Sequence, residues 1–186
     1  MTDEPPHRCR GRAARLDAPS PAQANLRGAF LSHLAANPDG VWRTCAPAHL
    51  TASAVILDPI RLAILLVLHR KVGRWLQPGG HCEVEDATLG AAALREGSEE
   101  SGVEGLVLMP GILHVDRHPA PCNPGVVEEH LDVRYLILAP PGSVAIASGE
   151  SLDARWFGWD ELPDGIEPTI VEMLTAGRRR LAWRRD

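Results

Sequence analysis

The chain has 186 residues, a length suited to one domain, and its 45% hydrophobic content supplies a core and excludes a disordered polypeptide. Its formal net charge is −5, with no long basic stripe through the body, so nucleic acid is not expected as a partner. The four cysteines (Cys9, Cys45, Cys82 and Cys122) form no CxxC pair, which argues against a disulfide framework and for a reducing cytoplasm.

Residues 1–19 are rich in Pro, Arg and Ala, lack the apolar stretch of a secretory signal, and are expected to be flexible. A helical extension over 20–47 follows. Ser20 suits an N-cap, Pro21 the first turn, and Leu26, Phe30 and Leu34 recur on one helical face. "LTASAVILD" and "LAILLVLHR" read as two strands of a hairpin joined at Asp58-Pro59. The longest apolar run, "LAILLVL", is too short to span a bilayer, so no membrane association is expected. "RWLQ" is a short strand leading into the turn residues Pro78, Gly79 and Gly80.

Downstream, "GLVLMPGILHVDR", "HLDVRYLILA" and "DARWFGW" read as strands, and "EPTIVEMLTAG" as a short helix that Gly177 can end. Residues 176–186 hold five arginines and read as a solvated basic tail. Strands flanking a central helix, with a second helix closing the chain, predict an α/β sandwich around a mixed sheet.

The central helix carries the chemistry. Asp86 or Thr88 can cap it, "LGAAALREGSEES" forms its body, and Gly102 can occupy the left-handed position at its end. Glu96, Glu99 and Glu100 then share one face, where three carboxylates repel one another unless a cation sits among them. Hard oxygen ligands on part of a shell suit Mg²⁺ or Mn²⁺, with waters and phosphate oxygens completing it.

"REGSEESGV", residues 95–103, resembles the second half of the Nudix box, and the strands on either side extend the resemblance over residues 48–175. There are two departures. Eight residues instead of seven separate Asp86 from Arg95, and Asp86 stands where the box has glutamate. Gly97 replaces an apolar residue, at a helix-propensity cost of about 1 kcal/mol that a close helix–sheet contact would explain. The resemblance implies a Nudix-like α/β/α sandwich and metal-dependent hydrolysis of a small-molecule diphosphate, such as a nucleoside diphosphate joined to another group. It implies Glu96, Glu99 and Glu100 as metal ligands, one of which could instead accept the proton of water, and Arg95 as the residue that orients them. Glu150, on the loop before the last strand, matches the place of a base in relatives resembling ADP-ribose pyrophosphatases. A homodimer is compatible with this reading.

Eight histidines form a second pattern. His130 and Asp132, two apart on a strand, share a face, and His49 and His81 sit at the start of a strand and after the Gly-Gly turn. Such ligands suit a transition metal, Zn²⁺, Mn²⁺ or Fe²⁺. These four positions also resemble the metal ligands of isopentenyl-diphosphate isomerase, although Gly79 replaces the cysteine of that enzyme's turn. Cys82, His118 and Cys122 lack finger-like spacing for a separate zinc cluster. Three functions are therefore compared: a diphosphate hydrolase, an isomerase-like enzyme, and a binding module for nucleotide derivatives. Arg74, Trp75, His114 and Arg117 are candidates to face the leaving group.

Overall fold

The computed structural model describes residues 20–123 and 126–182, apart from the side chains of 121–128. The segment expected to be flexible, with Cys9, lies outside the described residues, as do the last four residues. Helix α1 spans Pro21–Ala36, and its cap is the expected one, with Gln23 N–H donating to Ser20 Oγ. Strands β1 (Ala48–Asp58), β2 (Ala63–His69), β3 (Trp75–Leu76) and β4 (Gly79–His81) follow. Helix α2 spans Leu89–Ser101, then come β5 (Val107–Asn123), β6 (Val126–Leu138), β7 (Ser151–Gly158) and helix α3 (Pro168–Ala182).

The sheet is mixed, as expected. It runs β3-β2-β1-β6-β5, with β4 paired to β1 and β7 to β2. β1 and β2 are the predicted hairpin, but they pair only at the turn, Leu57 with Ile64 and Asp58 with Ala63. Beyond it β1 takes β4 as its antiparallel neighbour on that side and runs parallel to β6 on the other, His49 beside His130 and Thr51 beside Asp132.

Alternation along β1 separates its two faces. Leu50, Ala52, Ala54 and Ile56 pack in one core cluster with Leu89, Ala92 and Ala93 of α2. Val55 and Leu57 pack in the other with Ile170, Met173 and Leu174 of α3. The same face as Val55 and Leu57 carries His49, Thr51 and Ser53 toward the start of the strand, buried like their apolar neighbours. A polar band therefore occupies the part of the sheet face nearer the start of β1.

The C-terminal end differs from expectation. Gly177 does not stop the last helix, which continues through 182 and takes in the first part of the segment expected as a tail. A Cβ at Gly177 would lie 2.9 Å from Leu57 Cδ1, so glycine marks where α3 crosses the sheet closely. Arg178 stacks 5.0 Å over Trp159, and Arg180 donates to the Ile112 carbonyl at 3.2 Å, so these cations are docked on the domain. The outer strand β5 also receives α1. Gln23 Nε2 donates to the Val115 carbonyl, and Val115 N–H donates to Gln23 Oε1, each at 2.8 Å. No helix among the described residues is long and apolar enough to cross a membrane.

Gly97 has the packing reason that its departure from the box suggested. A Cβ there would sit 3.0 Å from Ala54 Cβ and 3.4 Å from Ile56 Cδ1. Gly97→Leu should destabilise by about 1–3 kcal/mol through overpacking, outweighing leucine's better helix propensity. Urea denaturation measures this; a variant more stable than the parent would show that α2 can lift off β1 without loss.

Candidate active site

Thr88, not Asp86, caps α2: its Oγ1 accepts from Ala91 N–H at 3.1 Å, and Gly102 closes the helix at φ 64°. This leaves Asp86 for another task. Its Oδ2 accepts from Glu83 N–H at 2.9 Å, which fixes the longer loop, and its buried carboxylate receives Arg95 through Nε at 3.3 Å and Nη2 at 2.9 Å. Arg95 Nη1 donates to Glu96 Oε1 at 3.0 Å and Glu99 Oε2 at 3.1 Å, while Nη2 also reaches the His81 carbonyl at 2.9 Å. One guanidinium thus ties the loop, β4 and two glutamates together, with charge assistance in each carboxylate contact.

Strand β4 lies directly against this helix face. A Cβ at Gly79 would sit 2.9 Å from Ser53 Cα, so glycine is needed for the approach there, and one at Gly80 would sit 2.5 Å from Glu96 Oε1 and displace that carboxylate. Glu100 is 6% exposed and accepts a hydrogen bond from the Gly79 backbone. Burial, then the charge of Glu96, push the Glu100 carboxyl up to about 8, with Glu150 and Glu99 adding to the rise and Gly79 opposing it. Burial also raises Glu96, against the pull of Arg95. Glu150 acts electrostatically on both Glu96 and Glu100, so the loop before β7 does bring it toward the helix glutamates. The arrangement concentrates more negative charge than its single arginine offsets, which fits a divalent cation.

The histidines gather on the polar face of the sheet. His49 Nε2 lies 3.1 Å from His81 Nε2, and the ring centroids of His49, His81 and His130 are 5.1 Å apart in each pair. One nitrogen from each falls within 4.8 Å of the others. Burial, then the neighbouring imidazoles, hold His130 down at about 3, so it is neutral at ordinary pH and could offer a lone pair to a metal.

Asp132 is not brought into this trio. Its carboxylate accepts from Ser53 Oγ at 2.8 Å and Thr51 Oγ1 at 3.1 Å, and pairs with Arg134 Nε at 2.8 Å. Arg134 Nη2 continues to Asp116 at 2.7 Å, whose Oδ2 also meets His118 Nδ1 at 3.1 Å. Burial would raise Asp116, but the His118 hydrogen bond and the Arg134 charge hold it at about 2. Arg134 and Asp116 were not anticipated from the sequence. The signal lay in the alternation of "HLDVR", which puts Arg134 on the face of His130 and Asp132.

The residues considered for a leaving group each have a partner in the fold. Arg74 pairs with Glu167 and Arg117 with Glu129. Trp75 packs edge-on to Phe157 at 4.9 Å, and His114 lies 3.1 Å from Gln23 Nε2. Of the Cys82, His118 and Cys122 set, the Cys122 side chain lies outside the described residues.

A family model of the NUDIX domain matches residues 47–176. Among similar solved structures is a NUDIX-family hydrolase from Clostridium perfringens, 24% identical with a TM-score of 0.57, over 72% of this chain and 97% of that one. An Ap4A hydrolase from C. elegans is 19% identical with a TM-score of 0.56, over 72% of this chain and 97% of its own. A UDP-X diphosphatase is 20% identical with a TM-score of 0.55, over 84% and 79%. At these identities the likeness to individual structures is one of fold. No curated protein matches the sequence.

Proposed function

Because the chain belongs to the NUDIX family of hydrolases acting on pyrophosphate bonds, we propose that it cleaves a small-molecule diphosphate with Mg²⁺ or Mn²⁺ at Glu96, Glu99 and Glu100. The observation that carries this is the crowding of Glu96, Glu99 and Glu150 around the buried Glu100, whose carboxyl burial and these neighbours push up to about 8. A divalent cation there offsets charge on phosphoryl oxygens and acidifies an attacking water. Arg95 orients Glu96 and Glu99 from Asp86, and the Gly79 backbone fixes Glu100. Glu150 is a candidate to take the proton of water, since it reaches the same field from a separate loop. Glycine at position 79 leaves the turn without a thiol, so isomerase chemistry is disfavoured.

A second ion, of a transition metal, belongs to the same proposal at His49, His81 and His130, where imidazole nitrogens suit Zn²⁺, Mn²⁺ or Fe²⁺. The substrate class is tested by offering dinucleoside polyphosphates, nucleotide sugars and small organic diphosphates with Mg²⁺ and Mn²⁺ in ¹⁸O-water. Label should enter one phosphate product. A protein that binds these compounds and metal but turns over none of them is a binding module.

A further inference from the structure

Beyond the trio, the polar face of the sheet places another imidazole beside His130. His118 pairs in register with His130 across β5 and β6, as His130 does with His49 across β6 and β1. Its ring stands edge-on to that of His130, with centroids 5.4 Å apart. The imidazoles of β5, β6, β1 and β4 thus form a continuous row.

Two members of the row have their Nδ1 engaged from behind, which settles which nitrogen faces a metal. His49 Nδ1 lies 3.1 Å from the Cys45 carbonyl, an acceptor only, so Nδ1 carries the proton and Nε2 the lone pair. His118 Nδ1 lies 3.1 Å from Asp116 Oδ2, with the same consequence. A carboxylate behind a ligating imidazole is the arrangement that orients metal-bound histidines and raises their basicity. Arg134, buried and bonded to both Asp116 and Asp132, fixes that carboxylate in turn.

Resting on the reading of His49, His81 and His130 as a metal site, we infer that His118 is its fourth ligand, making a four-histidine centre for Zn²⁺ or a similar ion. At Zn–N bonds of about 2.0–2.1 Å a tetrahedral shell spaces its nitrogens by roughly 3.3 Å. The His49–His81 separation of 3.1 Å is already near that value. His118 is the member outside the 4.8 Å set, and its side chain is 41% exposed, so it can swing inward without repacking the core. A shell filled by four imidazoles leaves no position for water. The ion is then structural, joining β1, β4, β5 and β6, and distinct from the glutamate-held ion.

Cobalt(II) replaces zinc in such sites and reports coordination number through its visible absorption. The full-length protein should bind one Co²⁺ with the intense absorption of a tetrahedral site, and that spectrum should persist in Glu99→Gln. His130→Ala should abolish it. His118→Ala should still bind Co²⁺, but more weakly, with the weak absorption of a five- or six-coordinate ion as water enters. Asp116→Asn should weaken binding by about 10–100-fold but keep the tetrahedral spectrum, as expected of a positioning residue. Unchanged affinity and spectrum in His118→Ala, with binding lost in His130→Ala, would overturn the fourth ligand and leave the trio intact. A parent protein with no tetrahedral Co²⁺ and no dependence on His130 would remove the trio as well. Circular dichroism of each variant separates ligand loss from unfolding.

Discussion

Glu100→Gln should lower metal-dependent hydrolysis by orders of magnitude while raising the melting temperature of the metal-free protein. The substitution keeps the shape of the side chain and removes the charge a hard cation needs. In the absence of metal that charge is a burden, because Glu100 is buried beside Glu96 and within the field of Glu99 and Glu150. Glu99→Gln should share the kinetic loss but not the stabilisation. Its side chain is 59% exposed and already bonded to Arg95, so little repulsion is relieved. Steady-state kinetics and thermal melts with and without Mg²⁺ test both halves. Full activity in both variants would remove the glutamates from catalysis.

Stability should also depend on pH in a direction set by the same carboxyl. Glu100 rises from an ordinary 4.5 to about 8 on folding. The protonated form therefore favours the native state fully below about pH 4.5, and that contribution disappears as pH rises through 8. His130, lowered to about 3, works the other way, since the unfolded chain takes up its proton below about pH 6.5. Between pH 7 and 9 the histidine is largely neutral in both states, so of these two groups the carboxyl dominates the change. Metal-free protein should lose about 1.4 kcal/mol over that interval, a fall of a few degrees in Tm. Saturating Mg²⁺ should flatten or reverse the slope, because the cation binds the ionised carboxylate. Parallel melts in chelator and in Mg²⁺ decide it; a slope unaffected by metal would mean that the ion binds elsewhere.

Features written in short windows were legible in the sequence. The cap at Ser20, the left-handed Gly102 and the shared face of Glu96, Glu99 and Glu100 follow from local spacing, and the structure contains them; spacing left the second cap open between Asp86 and Thr88. Features that depend on what crosses what were not. Gly177 has the composition of a helix stop, yet its role is set by Leu57, more than a hundred residues away. Asp86 could be read as a cap or as a substitute for the box glutamate; only the folded loop shows it holding Arg95. Asp132 shares a strand face with His130, and alternation gave that much. That its carboxylate turns to Ser53, Thr51 and Arg134 depends on parallel pairing between β1 and β6, which no short window encodes.

The amide of Gln23 gives the outer strand what another strand would give it. By accepting from the Val115 N–H and donating to its carbonyl, a side chain from α1 occupies backbone groups that an unguarded sheet border offers to any passing chain. Phe30 and Leu34 of the same helix are buried in the core beside Val41. The helix lies wholly outside residues 47–176, the part shared with the family. In this protein, then, an addition to the common domain acts as a selvedge for its sheet. A fragment cut back to the family segment would carry the same glutamates and histidines on a fabric open to fraying and to self-association along one border.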